Sequence, residues 1–173
     1  LSKPLIVGLL LITTYGGLVI GAQAWPSFSL TMWTLLGGAL AAGGSSALNQ
    51  FIDRELDKNM VRTAKRPLAD GRLTSAEGLA FGLALSLLSY YLLACFVNGL
   101  AALLSLAGII YYVILYSLWL KKATVQNIVI GGGAGAIPPM VGYAAATGNL
   151  DWTAWILFAI IFMWTPPHFW ALA

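Results

Sequence analysis

Asn49, Asp53 and Asp57 stand four residues apart in the run Asn49-Gln-Phe-Ile-Asp53-Arg-Glu-Leu-Asp57. On a helix, positions i, i+4 and i+8 share one face, drifting by about 40° per step. Two carboxylates and a carboxamide aligned in this way repel one another unless a cation sits against them. Oxygen donors suit a hard ion, and Mg²⁺ typically takes one or two carboxylates plus the phosphate oxygens of a substrate. The residues that follow supply the complementary charge, in Met60-Val-Arg62-Thr63-Ala-Lys65-Arg66-Pro67-Leu68. Arg62, Lys65 and Arg66 can grip the outer oxygens of a diphosphate, the guanidinium with a planar, two-pronged fork. A loop that only sets membrane orientation needs the basic residues but not the aligned carboxylates, because acidic residues contribute little to orientation. Acidic residues at the end of an apolar span more often mark a pathway or a site.

The elements that must carry this segment are membrane spans. The chain has 173 residues, of which 60% are hydrophobic and 9% charged, and its mean hydropathy is +0.84. A soluble domain carries about 25% charged residues, so the solvent over most of this surface must be lipid. Six apolar runs are expected to cross the bilayer as helices, at residues 5–24, 28–48, 76–97, 100–120, 125–147 and 152–173. Each is about 20 residues long, the length a helix needs to span the hydrocarbon core. Short separators hold turn residues: Pro26 and Ser27, Asn98 and Gly99, then Gly148, Asn149 and Asp151. The first run is span-length and lacks a small-residue cleavage pattern, so it reads as a span and not as a signal peptide. No strand alternation suggests a barrel. The fold class is therefore all-α, a polytopic transmembrane bundle.

All nine basic residues fall at one set of ends. Lys3 precedes the first run; Arg54, Lys58, Arg62, Lys65, Arg66 and Arg72 lie between the second and third; Lys121 and Lys122 lie between the fourth and fifth. With six spans and a cytoplasmic N-terminus, every one is cytoplasmic. The net charge of +3 sits at the ends of apolar runs, which argues for no nucleic acid partner. The single cysteine, Cys95, permits no disulfide framework. The chain begins without methionine and stops inside the sixth run, so it is expected to be a fragment of a larger membrane protein.

Asn49-x-x-x-Asp53-x-x-x-Asp57, followed by Arg62-Thr63 and Arg66-Pro67-Leu68, resembles the first aspartate-rich motif of the UbiA superfamily of intramembrane prenyltransferases. Two further stretches resemble its heme-farnesylating branch: Asn127-Ile-Val-Ile-Gly131-Gly-Gly-Ala-Gly135-Ala-Ile-Pro138-Pro139-Met-Val-Gly142-Tyr143, and Trp164-Thr-Pro166-Pro167-His168-Phe169-Trp170. The resemblance covers essentially the whole chain. It implies one transmembrane prenyltransferase domain over residues 1–173, six helices present of nine, and a cytoplasmic catalytic loop at about 49–75. It implies a Mg²⁺-dependent transfer of farnesyl from farnesyl diphosphate to a vinyl group of heme b, with addition of water, giving heme O and diphosphate. Asp53 and Asp57 would hold Mg²⁺, Asn49 would ligate it or orient its water, and Arg62, Lys65 and Arg66 would bind diphosphate. The partners implied are farnesyl diphosphate, heme b, the lipid bilayer and a downstream heme A synthase, in a bacterial inner membrane. A second aspartate-rich motif and three last helices belong to the family pattern but not to this chain, so the piece is expected to be inactive alone.

Other residues admit simpler readings. His168, the only histidine, is a candidate heme contact, although a lone membrane histidine more often bonds a neighbouring helix. Gly131 to Gly135 invites a phosphate-loop reading, but no Lys-Ser/Thr follows; small residues at this spacing more often allow close helix packing. Pro138 and Pro139 are expected to break the fifth helix near mid-span, and Pro166 and Pro167 to bend the sixth. Trp119, Trp152 and Trp155 fit interfacial belts. Tyr111, Tyr112 and Tyr116 read as packing, and Lys121 and Lys122 first as orientation signals, then as diphosphate or heme-propionate contacts. Two rival functions are a prenyltransferase for an aromatic-acid acceptor and an ion-conducting transporter segment. Ion sites of transporters lie near the midplane at broken helices, whereas this acidic face ends a span beside a cationic clamp.

Overall fold

The structure is a computed structural model that describes residues 3–61, 63–124 and 126–171, without the side chains of residues 122, 169 and 170. Among the described residues every regular element is helical. α1 runs Pro4–Ala22, α2 Phe28–Lys58, α3 Ser75–Phe96 and α4 Gly99–Ile110. α4 passes directly into a π-helix, Tyr111–Leu120, and a single turn, α5, Lys121–Ala123. α6 is Asn127–Thr147 and α7 is Trp152–Ala171. Four of these rods are long and apolar enough to cross a membrane: Pro4–Ala22, Ser75–Phe96, Gly99–Leu120 and Asn127–Thr147. α2, at 31 residues, and α7, at 20, are long enough but less apolar: α2 is rich in Gly, Ser and Thr, and α7 carries Pro166, Pro167 and His168.

Local chemistry sets the helix ends. Ser27 and Asn98 cap α2 and α4 by accepting the amides of Leu30 and Ala101. Thr74 and Glu77 form a reciprocal capping box at α3. Gly148, at φ 68°, closes α6 in the left-handed region that glycine tolerates.

Helices pack through small residues, as expected where lipid gives apolar side chains no reason to cluster. α2 and α3 run antiparallel: Gly37 faces Leu93, Gly44 faces Ser86, and Gly82 faces Leu48. The Ser89 hydroxyl donates to the Gly37 carbonyl at 2.8 Å. α1 and α6 run in the same direction, with Gly17 pressed on the Pro139 carbonyl and Gly142 on the Thr14 carbonyl. Gly132 of α6 meets Thr165 of α7, and Gly131 meets the ring of Tyr116. These contacts gather the start of α1, the end of α2, the start of α3, the end of the π-helix and the end of α7 at one end of the bundle. The basic residues in the described parts therefore share that end.

One expectation fails at proline, the break at Pro138 and Pro139. α6 continues through Pro138 and Pro139, and α7 through Pro166 and Pro167. Pro138 and Pro139 follow a run of Gly and Ala, which leaves room for the rings, and Pro139 is buried against α1. Tertiary packing thus holds a helix that local sequence disfavours.

The α1–α6 crossing is a sensitive one. A Cβ at Gly142 lands on backbone, which cannot rotate away as a side chain would. Gly142→Ala is expected to lower stability by about 1–3 kcal/mol, read by unfolding in detergent. Gly135, with open space around it, is the control: Gly135→Ala is expected to be neutral or stabilising by up to about 1 kcal/mol.

Candidate active site

α2 extends past the apolar run for its full 31 residues and carries Asn49, Asp53 and Asp57 on one buried face. Glu55 faces outward instead. It pairs with Lys58 at 2.8 Å and with Arg54 at 3.8 Å, and the Lys58 hydrogen bond holds its carboxyl below the usual range. Arg54 lies over the Phe51 ring at 4.6 Å. The charges on this stretch therefore separate into a solvated side and an inward side.

Each inward carboxylate holds one cation. Lys121 donates to Asp53 Oδ2 at 2.7 Å, and Arg66 donates to Asp57 Oδ2 at 2.7 Å. Asn49 Nδ2 bridges Asp53 Oδ2 at 3.1 Å and the Ser117 hydroxyl at 3.0 Å. Asp53 is 2% exposed, yet its Oδ1 has no hydrogen-bond partner among the described residues.

The loop after α2 folds back to deliver Arg66. The buried Thr63 hydroxyl donates to the Asp57 carbonyl at 3.2 Å, and Leu68 packs against Gly78 of α3. Arg72 braces the turn by donating to Asp70 at 2.7 Å and to the Lys65 carbonyl at 2.8 Å. The amide of Arg72 donating to Asp70 holds that carboxyl below its ordinary range. Lys65 itself is exposed, and Arg62 lies outside the described residues. Of the expected clamp, Arg66 is joined to the acidic face by an ion pair.

The π-helix delivers the other cation. Its i→i+5 bonding is rare and is frequently found at functional sites. Ser117 donates to the Tyr112 carbonyl five residues back at 2.9 Å while accepting from Asn49. Ser117 and Leu120 are buried, and Lys121 follows at once. Tyr112 and Tyr116 stack at 5.5 Å, and the Tyr111 hydroxyl donates to the Ile130 carbonyl at 2.6 Å. The glycines at 131 and 133 accept the rings of Tyr116 and Tyr111, which is the packing role expected of that tract. An apolar groove of about 510 Å³ runs along the same rod, from Ala107 through Ile114 to Trp119.

Sequence reasoning passed over Ser117 and gave Lys121 first to orientation. The available signal was their position: they end a span on the same side as Asp53. His168 lies exposed at the end of α7, its ring stacked on Trp164 at 6.0 Å.

This donor set fits a hard divalent cation. It offers two carboxylates and a carboxamide, and one buried anionic oxygen lacks a partner. Among the described residues there is no group of three His, Cys, Asp or Glu side chains, so a metal held here would take further oxygens from substrate or water, as Mg²⁺ does.

A model of the UbiA prenyltransferase family matches residues 10–173. The chain belongs to that family. It is 55% identical over all 173 residues to a protoheme IX farnesyltransferase of Trichodesmium erythraeum, covering 53% of that protein. It is 54% identical to one of Gloeobacter violaceus, covering 57%, and 51% identical to one of a Roseiflexus species, covering 32%. The chain thus spans about half the length, or less, of these relatives. Its fold matches the apo structure of a UbiA homolog from Aeropyrum pernix with a TM-score of 0.79 at 21% identity, over 95% of this chain and 62% of that one.

In this UbiA-family chain the Ser117 hydroxyl orients Asn49. Were Asn49 to ligate a divalent metal, Ser117→Ala in the natural protein would weaken that metal's affinity by about 10–100-fold, the usual effect of losing an outer hydrogen bond to a ligand. Mn²⁺ binding followed by electron paramagnetic resonance checks it.

Proposed function

We propose that the natural protein transfers farnesyl from farnesyl diphosphate to a vinyl group of heme b, with addition of water, to give heme O and diphosphate. The observation that carries the diphosphate chemistry is the buried Asn49–Asp53–Asp57 face with Lys121 and Arg66 paired to its carboxylates. The acceptor is supported by relatives of that name, 51–55% identical across the whole chain.

In this reading the allylic C–O bond breaks as the vinyl double bond supplies the electron pair for the new C–C bond. Water closes the carbon left electron-poor and loses a proton. The main obstacle is charge growing on the leaving oxygens. A bound Mg²⁺ supplies electrostatic stabilisation there. Asp53 and Asp57 would hold that ion, and Asn49, fixed by Ser117, would ligate it or orient its water. Arg66, Lys121 and, from the loop, Lys65 and Arg62 stabilise the diphosphate. The groove from Ala107 to Trp119 offers an apolar surface to the prenyl tail. His168, beside Trp164, is a heme contact, axial or through a propionate; His168→Ala weakening heme binding supports that role, and unchanged affinity removes it.

The bundle sits as six spans with the N-terminus and the loop at about 49–75 cytoplasmic, in a bacterial inner membrane, and a heme A synthase receives the product. Gathering of the described basic ends on one side supports this orientation. The deciding experiment presents membranes containing the natural protein with farnesyl diphosphate, Mg²⁺ and either heme b or a 4-hydroxybenzoate-like acid. Farnesylation of heme alone supports the reading. Farnesylation of the aromatic acid overturns the acceptor, and ion flux without prenyl transfer overturns the enzyme.

A further inference from the structure

Lys121 and Arg66 are paired with the two carboxylates that a metal would use. Each carboxylate commits Oδ2 to its cation, both at 2.7 Å. The four side chains, two anionic and two cationic, sum to zero. Burial makes that balance matter: Asp53 and Asp57 are 3% and 6% exposed at the side chain, where charges are weakly screened. The cations are less confined, Arg66 on a loop and Lys121 at 38% exposure on the turn after the π-helix. Asp53 Oδ1 remains an anionic oxygen without a partner among the described residues, a foothold for a metal beside the paired oxygen.

We infer that Lys121 and Arg66 are built-in counter-ions that hold the metal's place, so that divalent metal and diphosphate bind as a coupled pair through exchange of ion-pair partners. The inference rests on the reading of this face as a metal-and-diphosphate site. A metal arriving alone meets two cations already in contact with its ligands. A diphosphate arriving alone meets two carboxylates beside its cations. When both arrive, the metal takes the carboxylates and the ammonium and guanidinium turn to the diphosphate, so each of the four charged side chains keeps a partner of opposite sign. Each ligand therefore raises the affinity of the other, and by linkage the factor is the same in both directions.

The test uses the natural protein in detergent, with Mn²⁺ as the metal probe and inorganic diphosphate as the anion probe. Carboxylate oxygens take Mn²⁺ as they take Mg²⁺. Without diphosphate, Lys121→Gln is expected to bind Mn²⁺ about tenfold more tightly than the unsubstituted protein, within the usual range of such couplings. With metal chelated away, the same variant binds diphosphate more weakly. Lys121→Arg, which keeps the charge, behaves like the unsubstituted protein in the metal titration. Metal-alone affinity that is unchanged or weaker in Lys121→Gln overturns the exchange, provided Asp53→Asn removes Mn²⁺ binding in the presence of diphosphate. If Asp53→Asn has no effect on that binding, the site reading itself fails, and the exchange with it.

Discussion

Asp53→Asn in the natural protein is expected to lower kcat/KM for prenyl transfer by about 10³-fold or more. The two side chains have nearly the same shape, so the change isolates charge. Asp53 Oδ2 accepts from both Lys121 and Asn49, and Oδ1 is the buried anionic oxygen without a partner among the described residues. Asparagine removes the anion and presents an N–H₂ group on one side of the same position. A hard cation loses a ligand, and the Lys121 ammonium loses its counter-ion. Removing one donor to a developing oxyanion typically costs 10²–10³ in rate, and under the proposed function a metal ligand and an ion-pair partner are lost together. Steady-state transfer at saturating Mg²⁺ measures the effect, with unfolding in detergent as the check on folding. A loss below about tenfold means that Asp53 does not hold the metal. Asn49→Ala, which leaves both carboxylates in place, is the milder comparison.

The acidic face of this candidate site was legible because its logic is local. Asn49, Asp53 and Asp57 lie on one helix, and a period of four on a continuing helix is enough to align them. The all-helical fold was legible for a similar reason, since each apolar run is one rod. Three things were not. The Lys121–Asp53 and Ser117–Asn49 contacts join residues 68 apart, and helix packing, not spacing, makes them. The π-helix has no mark in composition: Tyr111–Leu120 reads as an ordinary apolar run, and its register shows only in the backbone. Pro138 and Pro139 read as a break, because the propensity argument omits the α1 surface packed against α6, which is continuous there. The loop lies between these cases. Arg66 was named from its charge, but its return to Asp57 depends on Thr63 and Leu68 anchoring the turn.

Arg66 gives the second large effect. Arg66→Ala is expected to weaken inorganic diphosphate binding about 10²-fold in the presence of Mg²⁺, and Arg66→Lys about tenfold. An ammonium keeps the charge but loses the planar pair of parallel donors. Charge loss alone could also act by loosening the loop, since Asp57 would be left buried without the one cation paired to it among the described residues. The two causes separate in a metal titration. A loosened loop weakens Mn²⁺ and diphosphate binding alike. Loss of a place-holding counter-ion frees Asp57, so Mn²⁺ without diphosphate binds more tightly while diphosphate binds less. Opposite movement of two affinities from one substitution is a pattern that partial unfolding does not produce. Arg66→Lys, which retains the counter-ion, is expected to leave metal-alone binding unchanged while still weakening diphosphate, which assigns the fork and the charge to different steps of the same exchange.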